Sequence, residues 1–191
     1  MSRVRYVPDE PAAGSGADTG AAAQELMAQI RARRGGLLLN LDRLLLHSPP
    51  FARGWNAHLG AVRRELLLPP KLRELAICAV AVLNQVDYEW EQHSPEWLRA
   101  GATAEQLAVL RATPMELEAS NVFDSVEKAV LQLTLEMTRH VRVSEPTFER
   151  VRNALSRDER VVVELVGVVA SYNMVSRFLV ALEIDPEKSR G

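Results

Sequence analysis

From Leu68 to Gly101 the chain reads LPPKLRELAICAVAVLNQVDYEWEQHSPEWLRAG, and the rest of the sequence is arranged around this stretch. Leu72, Leu75, Ile77, Ala79, Val80, Val82 and Leu83 predict an apolar helix, opened by Pro69-Pro70 and carrying Glu74 near its start. Asn84-Gln85-Val86-Asp87 interrupts the apolar run, and Asp87 reads as the N-cap of a second helix holding Tyr88, Glu89, Trp90 and His93. Two helices meeting at a corner are expected, not one rod. Glu89 and His93 are four residues apart, so they share a helix face. Glu74 reaches them only if the corner folds back.

The flanking sequence is helical throughout. Residues 1–20, with Pro8, Pro11 and a Gly/Ala/Ser/Asp mixture, predict a loose arm ahead of one domain at 21–191. A helix over 21–33 would bury Leu26, Met27 and Ile30 and end at Gly35-Gly36. Helices over 37–46 and 51–67 follow, the second burying Trp55, Leu59 and Val62. Thr103 with Gln106 forms a capping box for a helix to Leu110, and 113–121 reads as loop. Asp124 or Ser125 caps a helix over 126–139 that turns Val130, Leu133 and Met137 inward. Ser144 opens one to Leu155, and Ser156 with Glu159 makes a second capping box before Val161–Leu182. The polar tail from Asp185 is expected to fray. No segment alternates with period two, so the fold is expected to be all-α. The two capped helices echo one another faintly, which suggests two helical half-repeats.

Composition excludes some classes. A formal charge of -2 gives no basic footprint for nucleic acid. No continuous apolar run approaches a membrane span, and MSRVRYVPDE lacks a signal peptide's apolar core. Cys78 is the one cysteine, so no intrachain disulfide forms and a cytoplasmic location is expected.

His93 is the candidate general acid/base, because an imidazole titrates near neutrality and passes protons either way. Glu89, one turn earlier, or Glu74, from the neighbouring helix, could fix its tautomer. The structural alternative is a satisfied core histidine in an ion-pair network. Arg73 could hold a substrate carboxylate in bidentate fashion, or form an ordinary salt bridge. Tyr88, Trp90 and Trp97 could wall a pocket or serve as core. Cys78, inside LAICAVAV, reads as a buried inert thiol. Glu74, Glu89 and His93 offer at most three metal ligands, with no second copy, so neither metal nor cofactor is expected.

Glu74, the apolar helix, Tyr88-Glu89-Trp90, His93 and Ala100-Gly101 together resemble the signature of the carboxymuconolactone decarboxylase family, which includes the alkylhydroperoxidase AhpD. The resemblance runs from about Asn40 to Ile184. It implies an AhpD-like helical bundle, assembled as a trimer or hexamer. In the peroxidase branch a glutamate precedes a Cys-x-x-Cys pair and a histidine; the matching positions here are Glu74, Val86, Glu89 and His93. Both cysteines are missing, so peroxidase or disulfide-reductase chemistry is disfavoured. Arg73 matches an arginine of the decarboxylase branch, which does not generally keep an acid at Glu74. The resemblance also places the Tyr172-Asn173 segment near the pocket, with Asn173 a candidate substrate contact. It implies a cofactor-free enzyme in which His93, assisted by Glu74 and Glu89, acts on a small lactone, carbonyl compound or carboxylic acid. Two carboxylates beside an anionic substrate would repel it unless one is protonated or paired. A non-catalytic oligomeric binding protein is the remaining alternative.

Overall fold

The computed structural model describes residues 2–9, 21–112 and 120–187. The described residues form nine α-helices and no β-strand: α1 (Ala21–Arg33), α2 (Asn40–Leu45), α3 (Pro49–Arg64), α4 (Pro70–Leu83), α5 (Asp87–Arg99), α6 (Ala104–Ala112), α7 (Ser125–His140), α8 (Glu145–Ala154) and α9 (Glu159–Leu182). They fall into two compact units, residues 1–65 with 179–191, and residues 66–178. The predicted loop at 113–119 lies outside the described residues, as do 10–20 of the predicted arm.

In the first unit, α1 and α2 both pack on α3, and Leu26, Met27 and Ile30 of α1, Leu41, Leu44 and Leu45 of α2, and Trp55, Leu59 and Val62 of α3 are buried. Gly35, at φ 72°, ends α1 in the left-handed conformation that glycine adopts without steric penalty, and Gly36 N–H closes back onto Arg31 O at 2.8 Å. Residues 2–9, expected to be loose, are tied down. Ser2 N–H and Tyr6 O–H donate to Asp185 Oδ2, Arg3 N–H to Leu182 O, and Val7 N–H to Arg43 O. The same bonds hold Asp185, which was expected to fray.

In the second unit α4 is the hub, packed by α5, α6 and α7. Ten of its 14 residues are buried, as an apolar helix requires. The corner into α5 is tight: Gln85 takes φ 58°, and Val86 N–H closes onto Ala81 O at 2.9 Å. A non-glycine residue there is strained, and this six-residue closure holds it. Asp87 is not the cap: Val86 occupies that position and Asp87 is the first helical residue, its carboxylate paired outward with Arg111 at 2.6 Å. α5 continues through Pro95 to Arg99.

The predicted caps divide. Thr103 and Gln106 exchange the reciprocal bonds of a capping box, Asp124 accepts from Glu127 N–H, and Ser144 accepts from Thr147 N–H. Ser156 does not cap α9. Ser156 and Arg157 are both left-handed, and Asp158 Oδ1 takes the N–H groups of Arg160 and Val161 instead. α9 also departs from expectation in another way. It is long and apolar enough, by length and composition, to cross a membrane, with mean hydropathy 1.6 over an 18-residue window. Half of that window is buried, and the helix brings Tyr172, Asn173 and Ser176 into the polar cluster described below, as a core helix would.

Candidate active site

Because the corner at Gln85 turns α5 back along α4, Glu74 and His93 meet. Glu74 Oε2 lies 2.7 Å from His93 Nδ1, and both side chains are buried. Arg73 Nε donates to the other oxygen, Glu74 Oε1, at 3.1 Å. Burial works to raise the Glu74 carboxyl, but the His93 hydrogen bond and charge, with Arg73 added, outweigh it and leave it below the ordinary 4.5. Glu74 is therefore a carboxylate that accepts, and His93 Nδ1 carries the proton. The Tyr172 ring meets the imidazole edge to face, with centroids 4.9 Å apart at 86°.

Glu89 shares the buried face of α5 with His93, as its spacing predicted, but its partner is a third residue. Ser176 O–H donates to its carboxyl group, with Oγ 3.2 and 3.1 Å from Oε1 and Oε2. Burial pushes this carboxyl well above its ordinary value, and the Ser176 hydroxyl only partly opposes that. Glu89 therefore holds its proton above the ordinary carboxylate range. The imidazole is held by Glu74, so the two candidate orienting acids have separate tasks.

The other candidates divide in the same way. Asn173 Oδ1 accepts from Asn84 Nδ2 at 3.2 Å and Arg177 Nη1 at 2.7 Å, while its Nδ2 donates to Thr138 Oγ1 and Val169 O, both at 3.0 Å. Its amide is fully engaged by protein, so Asn173 braces α9 against α7 and the end of α4. Trp90 is half-buried, with the Arg111 guanidinium 5.0 Å above its ring. Tyr88 is buried, and Trp97 is fully buried and stacked on Phe123. Cys78 is also fully buried; desolvation above all, with the Glu74 carboxylate adding to it, pushes its thiol far up. Among the described residues no group of three or more His, Cys, Asp or Glu is arranged to hold a metal ion.

Ser176 and Thr138 did not stand out in the sequence. A signal was present: Ser171, Tyr172, Asn173 and Ser176 interrupt an otherwise apolar helix, and buried polar groups require partners.

Comparison with known proteins bears on the family and the fold. Residues 49–131 match the model of the carboxymuconolactone decarboxylase family. No curated protein sequence matches the chain. Among solved structures, an uncharacterized peroxidase-related protein from Silicibacter sp. TM1040 is similar at TM-score 0.74 and 18% identity, over 98% of this chain and 95% of that one. The debrominase Bmp8 in complex with 2,3,4-tribromopyrrole is similar at TM-score 0.72 and 14% identity, over 98% and 94%. A peroxidase-related protein from Ralstonia eutropha JMP134, with an alkylhydroperoxidase AhpD core, is similar at TM-score 0.67 and 17% identity, over 97% and 95%. At these identities the likeness is one of fold: an all-α, AhpD-like helical arrangement.

Proposed function

We propose that this chain, which belongs through residues 49–131 to the carboxymuconolactone decarboxylase family and lacks a cysteine pair, is an enzyme that transfers protons with the Glu74–His93 pair. The observation that carries this reading is the buried 2.7 Å contact between Glu74 Oε2 and His93 Nδ1. A carboxylate on Nδ1 fixes the tautomer and stabilises the imidazolium, so Nε2 is the atom that exchanges a proton with substrate. The substrate class is a small lactone, carbonyl compound or carboxylic acid.

Charge supports an anionic substrate. Repulsion from two carboxylates is eased at both: burial raises the Glu89 carboxyl well above its ordinary value, and Glu74 is paired with Arg73 and His93. In a decarboxylation the carbon–carboxylate bond breaks, its electron pair enters an enolate, CO2 departs, and the Nε2 proton goes to carbon. Arg73 spends Nε on Glu74, and its terminal nitrogens are the proposed carboxylate contact. Tyr88 and Trp90 would shape the apolar side of the pocket, and a trimeric or hexameric assembly belongs to the same proposal.

The test is an NMR screen in heavy water with carboxylated lactones, β-keto acids and simple esters, run on the native chain and on His93→Gln. Loss of CO2, hydrolysis or deuterium uptake at carbon is expected for the native chain and not for the variant. Equal turnover by both would remove His93 from the chemistry. Absence of turnover across the panel would favour a binding role.

A further inference from the structure

In the first unit a groove of about 410 Å³ runs between α1 and α3, lined by Gln29, Ala32, Arg33, Asn56, Gly60 and Arg64, with Glu65 at its end. Its charge is unbalanced. Arg33 and Arg64 line it with Glu65, and Arg34, Arg63 and Asp42 are close enough to act on Arg33; these six described residues carry a surplus of two positive charges.

Asp42 does not neutralise the cluster evenly. Arg34 takes it at close range: Nη2 donates to Oδ1 at 3.0 Å and Nε stands 2.9 Å from Oδ2 as an ion pair, while Leu39 N–H donates to Oδ2. Arg33 reaches the same carboxylate only at 3.6 Å, through Nη2. Its Nε donates to a neutral acceptor, Asn56 Oδ1, at 2.5 Å, and no acceptor among the described residues bonds Nη1. Yet the Arg33 side chain is only 10% exposed. Burial, with the neighbouring charges of Arg34, Arg63 and Arg64, lowers its pKa to about 10 despite Asp42.

Cations in the last turn of a helix are favoured by the helix dipole, which accounts for arginines ending α1 and α3. That preference is satisfied by exposed side chains and gives no reason to hold Arg33 nearly buried along the groove. Gly60 keeps the wall of the groove low beside it: a Cβ there would touch Arg33 Cδ at 4.0 Å. Asn56, its oxygen engaged by Arg33, also lines the groove and keeps an amide N–H2 as a further donor.

We propose that this groove is an oxyanion site, taking a small molecule that carries a dianionic phosphate group between Arg33 and Arg64. Guanidinium groups suit it because their planar forks match phosphate oxygens two at a time. The two negative charges of the ligand would offset the surplus, and its oxygens would meet the donors of Arg33, Arg64 and Asn56. The site is separate from the Glu74–His93 pair in sequence and in chemistry, and does not depend on it.

Titration with inorganic phosphate, followed by ³¹P line broadening at constant ionic strength, tests this. Saturable broadening is expected, weakened by about tenfold or more in Arg64→Gln, which removes a charge-assisted hydrogen bond from an exposed side chain. Arg33→Gln should weaken it at least as much; since that residue is buried, Arg64→Gln decides if the other variant fails to fold. Arg53→Gln, the same charge change elsewhere on α3, should leave binding unaltered. Acetate should not compete at equal concentration. No broadening by phosphate, equal affinity in native chain and Arg64→Gln, or equal competition by acetate would overturn the proposal.

Discussion

Ser176 Oγ lies 3.2 and 3.1 Å from the two oxygens of Glu89, so a hydroxyl from α9 is the partner of a fully buried acid on α5. One hydroxyl cannot offset the desolvation of a carboxylate, and Glu89 keeps its proton well above the ordinary 4.5. The unfolded chain releases that proton above 4.5 and the folded chain does not, so stability falls as pH rises from there toward the folded-state pKa. Glu89→Gln removes this dependence while preserving shape and hydrogen bonding. Melting curves from pH 5 to 8 should show a flatter profile for the variant, and greater stability than the native chain at the upper end. A native-like slope in Glu89→Gln would mean that this acid is ionised in the fold.

Glu74 has the opposite sign. Its carboxyl lies below 4.5 in the fold, so its pairing stabilises the folded chain above that pH, and this contribution is lost as pH falls through the folded-state value. Glu74→Gln leaves Arg73 and His93 without their shared anion in a buried place. A loss of about 3–5 kcal/mol at neutral pH follows from removing one partner of such a pair. Urea denaturation measures it. If the proposed reaction is found, Glu74→Gln and His93→Gln should each lower kcat by about 10²–10⁴-fold, the usual scale of general acid/base assistance.

Cys78 occupies the middle of α4, fully buried, with its thiol held protonated by burial and by the Glu74 carboxylate. A thiol without thiolate character is not a nucleophile. A colorimetric thiol reagent should find no reactive sulfur in the folded chain and one equivalent in denaturant. Cys78→Ala should keep the activity of the native chain, and peroxide should not be consumed by either. A rapidly modified thiol under native conditions would contradict the packing of α4.

The helices were legible wherever their signals were local. Apolar spacing gave the buried faces of α1 and α3 and, except for half-buried Met137, of α7, and i,i+4 spacing put Glu89 and His93 on one side of α5. The Glu74–His93 meeting depended on a corner whose sharpness no residue advertises: Gln85 is left-handed without being glycine or asparagine. The Glu89–Ser176 bond joins residues 87 positions apart, and spacing along one helix says nothing of such partners. The tying of residues 2–9 to Asp185 is likewise a long-range arrangement, invisible in a segment that reads as polar coil. Local composition fixes which faces are buried; what meets there is set by the turns between helices.

The start of α9 shows the same limit at short range, and it yields a measurable difference. Ser156 and Glu159 have the spacing of a capping box, yet Ser156 and Arg157 bend left-handed at φ 56° and 57° and carry the chain past it. Asp158 then supplies the oxygen, at 2.9 Å from Arg160 N and 3.3 Å from Val161 N. An aspartate here also places negative charge at the positive end of the helix dipole. Asp158→Ala should therefore cost about 1 kcal/mol of unfolding free energy, the usual loss of a side-chain cap. Ser156→Ala removes no capping bond and should fall within about 0.5 kcal/mol of the native chain, the usual range for a surface substitution. Paired chemical denaturation of the two variants checks the order. A larger loss at Ser156 than at Asp158 would restore the capping box that the sequence suggested.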